Sequence, residues 1–266
     1  MNIVITGASG GIGAALARAR AARGDTVVLA ARREPALRAV AADCGGRATA
    51  VVADVTRRPE VERLRDAALA LGPVDVWVNN VGRGIARPVL ELTDADVDEM
   101  VAVNIRSALY GMQAIAPHLV ARNAGHLVNV SSFLGRIPLV SIRSMYSAAK
   151  AALISLTASL RMELAQRAPG VHVSVVMPGI VTTDFARNAL NAPPAPGGWA
   201  GGGPAAVATQ TAEEVAAAIS GLIDQGAAGS GLDHPAAELY TQPAQPGMAV
   251  EYVRDPVAFE QRLRGR

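Results

Sequence analysis

A single cysteine, a single lysine and few aromatic side chains occur in this 266-residue chain. Cys44 alone cannot form an internal disulfide, which fits a reducing compartment. At 3% aromatics there is little material for stacking nucleobases. The 24 arginines are scattered rather than gathered into a patch, and the formal net charge is only +2, so a nucleic-acid partner is not expected. No apolar run reaches the 18 residues of a membrane-spanning helix. The N-terminus, Met1 to Gly7, has no basic segment ahead of its apolar run and does not read as a signal peptide. A cytoplasmic protein is expected. His118, His126, His172 and His234 show no ligand spacing, so no metal site is expected either.

What is present is abundant apolar sequence: half of the residues are hydrophobic, enough for a sizeable core. Near-continuous apolar runs at Asn2–Thr6, Thr26–Ala31, Ala48–Val52, Val74–Asn79, His126–Ser131 and Val171–Met177 read as strands covered on both faces. Helical patterns separate them, to about Arg23 and then over about 34–43, 57–70, 94–122 and 144–167. This alternation predicts an α/β fold, with a parallel sheet and helices on both sides. Asn104 falls on the apolar stripe of the 94–122 segment, where a buried amide needs hydrogen-bond partners. Residues 190–205 are rich in Pro and Gly and read as a long loop. Thr211 and Glu214 have capping-box spacing ahead of a further helix. Ala237–Thr241 is a candidate last strand, and the tail from about 243 has no clear pattern. Without a repeat or an evident linker, residues 1–266 read as a single domain, with a substrate loop at about 185–210.

Thr6-Gly7-Ala8-Ser9-Gly10-Gly11-Ile12-Gly13 lies between the first strand and the first helix. Glycines permit a tight turn and close approach of a pyrophosphate, and a helix N-terminus offers free N–H groups to it. The same string can also be a plain structural turn; its strand–helix setting favours the dinucleotide reading. It has no Lys-Ser/Thr of a P-loop, which disfavours nucleotide hydrolysis. The second strand ends Ala30-Ala31-Arg32-Arg33, without the acid that bonds the ribose of NAD. Two guanidiniums suit the 2′-phosphate of NADP, although an arginine pair can equally be a solvated turn. NADP is therefore the expected cofactor and NAD the alternative.

Tyr146 and Lys150 are spaced i, i+4 on a helical run and share one face. A nearby ammonium favours phenolate and lowers a tyrosine pKa from about 10, so such a tyrosine can exchange a proton with a carbonyl or alkoxide oxygen. Tyr-x-x-x-Lys is common by chance. Here, however, the lysine is the only one in the chain, at a place where a guanidinium would be a poor substitute.

With Thr6–Gly13, Asn79-Asn80-Val81-Gly82, Asn104, Ser132 and Tyr146/Lys150 all in order, the chain resembles the short-chain dehydrogenase/reductase family, by motif over roughly residues 2–185. The resemblance implies a Rossmann-type, doubly wound parallel sheet of about seven strands. It implies an oxidoreductase that moves a hydride between a nicotinamide and a carbonyl or alcohol. Its catalytic tetrad would be Asn104, Ser132, Tyr146 and Lys150, with Tyr146 as acid/base, Ser132 on the substrate oxygen, Lys150 on the nicotinamide ribose and Asn104 holding a relay water. It assigns Gly7, Ser9, Gly11, Ile12 and Gly13 to the pyrophosphate turn, with Arg32 and Arg33 on the 2′-phosphate. Asp54 and Val55 would meet the adenine, Asn79 and Gly82 form the motif after the fourth strand, and Pro178, Gly179, Val181 and Thr183 hold the carboxamide. A homodimer or homotetramer is implied as well. Three departures stand out: Val81 replaces the usual alanine, no basic residue precedes Gly11, and Ser132 lies 14 rather than 13 positions before Tyr146. The last suggests one extra residue within 136–145, with Ser131 as the fallback. An NAD-dependent alcohol dehydrogenase and a non-catalytic dinucleotide-binding regulator remain the alternative functions. Trp77 reads as core, whereas Trp199 and Phe185 could each line a substrate pocket or merely pack.

Overall fold

In the computed structural model, which describes residues 1–191, 208–227 and 236–264, the apolar runs become strands. In chain order the elements are β1 (Asn2–Thr6), α1 (Gly11–Ala22), β2 (Thr26–Ala31), α2 (Glu34–Asp43), β3 (Ala48–Val52), α3 (Arg58–Leu69), β4 (Val76–Asn79), α4 (Asp94–Val101), α5 (Ser107–Arg122), β5 (Gly125–Val130), α6 (Ser144–Arg167), β6 (Val171–Met177), β7 (Ile180–Thr182), β8 (Thr209–Thr211), α7 (Ala212–Ala227), β9 (Glu238–Tyr240), α8 (Gln245–Arg254) and α9 (Pro256–Arg264). Seven strands form one parallel sheet in the order β3-β2-β1-β4-β5-β6-β9. This is the doubly wound α/β arrangement of a Rossmann-type fold. The chain runs outward from β1 to β3, then returns to the other side of β1 with β4. Loops at the carboxyl ends of β1 and β4 therefore diverge and open a crevice.

Alternation along the strands divides the core. Ile3 and Ile5 pack on one face with Leu16 of α1, Leu37 of α2 and Val215 and Ile219 of α7. Val4 packs on the other with Leu64 of α3, Ile115 and Leu119 of α5 and Leu153 of α6. All of these side chains are essentially excluded from solvent, and each such burial stabilises by about 1.5–3 kcal/mol. Trp77 belongs to the second face, fully buried, as the sequence suggests.

Three elements differ from the sequence expectation. The helix expected over 94–122 is interrupted by a π-helical turn at Ala102–Arg106, where Ser107 N–H reaches back five residues to the Ala102 carbonyl. Asn104 lies inside this turn and its side-chain amide donates to the Met100 carbonyl at 3.2 Å. A side chain that takes a carbonyl of the helical ladder is a local reason for the wider turn. The patternless tail forms α8 and α9, whose Ala249 and Phe259 pack on Phe133 and Ile137. Gln245-Pro246-Gly247 hides the first of these helices, because Pro is tolerated in a first helical turn. β7 and β8 pair in parallel as a separate two-stranded sheet, which places residues 180–182 beside the start of α7. The capping box is present, with Glu214 N–H donating to Thr211 Oγ1 at 3.1 Å and Thr211 N–H to Glu214 Oε2 at 2.8 Å. Trp199, His234, Arg266 and most of the Pro/Gly stretch lie outside the described residues.

Candidate active site

A cavity of about 680 Å³ lies along the carboxyl ends of the sheet strands. Its wall takes residues from the loops after β1, β2, β3, β4, β5 and β6 and from the start of α6. At one end lie Gly7, Ser9, Gly11 and Ile12 with Arg32, Arg33, Asp54 and Val55. Gly7 and Gly11 have φ of +68° and +53°, a region that favours glycine. A Cβ at Gly11 would meet the Thr183 side chain at 3.4 Å, so the turn and the segment after β6 approach each other closely. Arg33 folds back over the turn, its Nη2 donating to Ser9 Oγ at 3.2 Å. Asp54 Oδ1 accepts from the Thr56 N–H and hydroxyl at 3.0 and 2.8 Å. The donor set, N–H groups at a helix start beside two exposed guanidiniums, suits a phosphate-bearing dinucleotide.

Three of the expected residues stand back from the cavity wall. Gly13 packs instead of binding: a Cβ there would sit 2.5 Å from the Gly7 carbonyl oxygen. Asn79 turns into the core, where its Oδ1 accepts from Trp77 Nε1 at 2.8 Å and its Nδ2 donates to Asn129 Oδ1 at 2.8 Å. A direct cofactor contact by Asn79 is therefore corrected to a structural role. Its neighbour Asn80 lines the cavity and ties the loop after β4 to β1 through Thr6 Oγ1 at 2.9 Å and the Thr6 carbonyl at 3.0 Å. Asn104, fully buried, exchanges hydrogen bonds with the backbone of Arg83 at 3.1 and 3.0 Å. Those bonds give the inward-facing amide its partners. A Cβ on Gly82 would lie 3.1 Å from Lys150 Nζ and 3.2 Å from Asn104 Oδ1, so the absence of a side chain at 82 brings lysine and amide to opposite sides of one small space.

Ser132, Tyr146 and Lys150 come together on the cavity wall. The Ser132 side chain lies close enough to the Tyr146 phenol to favour its ionisation, while Ser132 Oγ accepts from Leu134 N–H at 3.2 Å. Ser131 donates its hydroxyl to the Lys150 carbonyl at 2.8 Å and so packs β5 onto α6. Gly135 presses on α6 as well, since its Cβ would lie 2.6 Å from the Lys150 carbonyl carbon. Lys150 Nζ donates to the Val130 carbonyl at 2.9 Å and sits 5.8 Å from the Tyr146 ring centroid.

The electrostatics correct one expectation. Burial pushes the Tyr146 phenol up to about 12, and the groups that pull against it are the Ser132 side chain and the Arg143 guanidinium. Burial also lowers the Lys150 ammonium to about 8. For groups this buried, desolvation outweighs the attraction that i, i+4 spacing alone suggests. Sequence reasoning missed Arg143, which is 3% exposed and three positions before Tyr146. The i, i+3 spacing of the two was its only signal. It left open Phe185, which lines the cavity with its ring tilted against Tyr146 at 5.4 Å between centroids.

Comparison with known proteins follows the same lines. Residues 1–193 match the family profile described as short chain dehydrogenase. An uncharacterized oxidoreductase of Staphylococcus epidermidis is 35% identical over 181 residues, covering 68% of this chain and 77% of the relative. A short-chain dehydrogenase/reductase from Burkholderia phymatum, solved with NAD, superposes with a TM-score of 0.82 at 27% identity, over 96% of this chain and 94% of that one. A short chain dehydrogenase from Burkholderia cenocepacia, solved with NADP, gives 0.77 at 29% identity over 98% and 96%. The sheet order, the glycine turn at its crevice and the match over most of the chain agree, and the chain belongs to the short-chain dehydrogenase/reductase family as an NAD(P)-dependent oxidoreductase.

Proposed function

We propose that this chain is an NADP(H)-dependent oxidoreductase of small carbonyl or alcohol substrates, with Tyr146 as its general acid/base. The observation that carries the reading is that Tyr146, Ser132, the buried Lys150 and the glycine turn all line one cavity. Gly7, Ser9, Gly11 and Ile12 would hold the pyrophosphate, Arg32 and Arg33 the 2′-phosphate, and Asp54 and Val55 the adenine. Gly82, Pro178, Gly179, Val181 and Thr183 would frame the nicotinamide end. Bound there, the dinucleotide supplies or accepts the hydride. Ser132 donates a hydrogen bond to the substrate oxygen, and Tyr146 gives its proton to that oxygen in reduction and takes it back in oxidation. Lys150, buried but still able to carry a proton near neutrality, bonds the ribose and returns the proton to Tyr146, with Asn104 fixing the outer side of that relay. Residues 1–266 act as one domain, and pairing through the long helices α5 and α6 makes a homodimer or homotetramer.

Tyr146→Phe tests the assignment. We expect a loss on the order of 100-fold or more in turnover of a ketone or alcohol panel, followed by nicotinamide absorbance, with NADPH binding retained. Near-normal turnover by the variant overturns the role of Tyr146, and a clear wild-type preference for NADH overturns the NADP assignment.

A further inference from the structure

Phe185 lines the cavity beside the tyrosine assigned to proton transfer, and the chemistry above does not use it. Its ring lies 5.4 Å from that of Tyr146, tilted by 58°. Toward the loop after β4, a Cβ at Gly84 would stand 3.0 Å from Phe185 Cε1. The missing side chain at 84 is therefore what seats the ring, which bridges that loop and Tyr146. The segment that carries Phe185 is tied to the same loop. Leu190 N–H donates to the Gly84 carbonyl and Ala86 N–H to the Leu190 carbonyl, both at 2.8 Å, and Arg83 Nε donates to the Asn188 carbonyl at 3.0 Å. At the other end of the segment, Phe185 N–H donates to Thr183 Oγ1 at 3.3 Å. Ile85, Met100 and Leu190 pack in the same cluster as Phe185 and Tyr146. The ring cannot swing far from Tyr146 without breaking these bonds.

Leu134, Leu139 and Val140 continue the apolar wall from a different stretch of chain. Close-packed side chains yield little to an intruding group, and one methylene against an apolar pocket changes discrimination by about 10–200-fold. We propose that Phe185 determines substrate specificity by limiting the substituent on its side of the reacting carbonyl to hydrogen or methyl, the longer apolar substituent lying along Leu139 and Val140. This rests on the reading of Tyr146 as acid/base, which puts the reacting oxygen at the phenol, and adds to it a substrate class: neutral aldehydes and methyl ketones, with the matching alcohols in oxidation. In reduction the carbonyl carbon gains the hydride of NADPH and its oxygen the Tyr146 proton, leaving NADP⁺ and the alcohol. With the ring fixing which arm points where, and the hydride arriving on one face, a methyl ketone gives one enantiomer.

The test uses 2-octanone, 3-octanone and 4-octanone, isomers that differ only in where the carbonyl divides the chain, so that the shorter arm grows from methyl to propyl. Their kcat/KM with NADPH is measured for the full chain and for Phe185→Leu and Phe185→Ala, and the enantiomers of 2-octanol are separated. Calorimetric titration of the same ketones into the chain with NADP⁺ reads binding without turnover. In the wild type 2-octanone is expected to exceed 4-octanone by about tenfold or more, and one enantiomer of 2-octanol to dominate. Phe185→Ala brings that ratio to within about twofold, chiefly by raising 4-octanone, and erodes the enantiomeric excess. Phe185→Leu falls between, and carries the test alone should the alanine variant not fold. A wild-type ratio near one, or racemic 2-octanol, overturns the proposal. So does a variant that slows all three ketones alike and leaves ratio and enantiomer unchanged, since Phe185 then only packs against Tyr146. Ketones that bind in a Phe185-dependent order but are never reduced uphold the size limit and sink the hydride-transfer reading instead; ketones that neither bind nor react sink the size limit and the substrate class with it.

Discussion

The two ends of the cavity are made of different material. At the dinucleotide end the backbone carries the geometry: one contiguous string, Thr6–Gly13, turns through two positive-φ glycines and packs Gly13 on the carbonyl of Gly7. At the substrate end side chains carry it, and they come from Phe133 and Leu134, Leu139 and Val140, Arg143, Tyr146 and the 185–189 segment, stretches that only the fold brings together. The contrast has a physical reason. A pyrophosphate can be met by N–H groups and a helix start, which any strand–turn–helix with glycines in the right places offers. Choosing among carbonyl compounds needs particular shapes and charges, and those can change in loops without disturbing the strands beneath them.

If that contrast is right, the largest effect should come from touching backbone packing. In Gly13→Ala the new Cβ would stand 2.5 Å from the Gly7 oxygen and 2.7 Å from Asn80 Nδ2. The amide can swing away, but the turn itself must move to relieve the oxygen. Overpacking of this kind costs about 2–3 kcal/mol, a Tm lower by roughly 5–10 °C, together with weaker dinucleotide binding. Unchanged melting and unchanged NADPH affinity would show that the turn is plastic and break the comparison. A smaller effect should follow from Arg33→Ala, which removes an exposed side chain held over Ser9 and leaves the turn itself intact. The expected outcome is a fall of about tenfold in the ratio of kcat/KM for NADPH over NADH, with no change in melting. A constant ratio would mean that Arg33 is a solvated surface residue and that the choice of dinucleotide is made elsewhere.

The same contrast explains what could be read from the amino-acid order. Six strands and the glycine turn were legible because each depends on neighbours in sequence: apolar runs of four to seven residues, or glycines between a strand and a helix. Ser132, Tyr146 and Lys150 were legible through motif spacing, and they do meet on one wall. Asn79 and Asn80 were not distinguishable in this way, because successive residues at a strand end point to opposite sides; only the sheet decides that Asn79 faces Trp77 and Asn80 the crevice. The π turn around Asn104 escaped because helical spacing does not show that the Asn104 amide takes the Met100 carbonyl of its own helix while also bonding Arg83, 21 residues away. Arg143 escaped because nothing in Arg-Ser-Met-Tyr announces that its guanidinium is buried. The balance of pKa shifts could not be foreseen at all, since spacing reports which charges are near and says nothing about how much water has been removed.

β5 offers a sharper form of the comparison within a single strand. Its carboxyl end leads to Ser132 in the cavity, whereas His126, near its amino end, packs against α7: a Cβ at Gly226 would be 2.8 Å from His126 Nδ1. Ser174 spends its one proton on the Ala236 carbonyl at 2.8 Å, so the 2.9 Å contact between His126 Nε2 and Ser174 Oγ requires the imidazole to donate from Nε2. Its other nitrogen, Nδ1, is buried without a partner, which disfavours a second proton on the ring. Burial, with a smaller contribution from His172 on the adjacent strand, lowers its pKa from 6.5 to about 3. Between those values the unfolded chain binds the proton and the folded chain does not. The contribution of His126 to stability is thus complete above about pH 6.5 and is lost as the pH falls toward 3, by up to about 1.4 kcal/mol per pH unit. His126→Gln keeps an N–H for Ser174 but cannot take up the proton. It should flatten the acid limb of a stability profile measured by denaturant unfolding, while kinetics at neutral pH stay within about twofold of the wild type. An unchanged acid limb would assign that proton uptake to another group. A large kinetic loss at neutral pH would mean that the two ends of β5 are coupled, and that the chemistry is not confined to the carboxyl edge of the sheet.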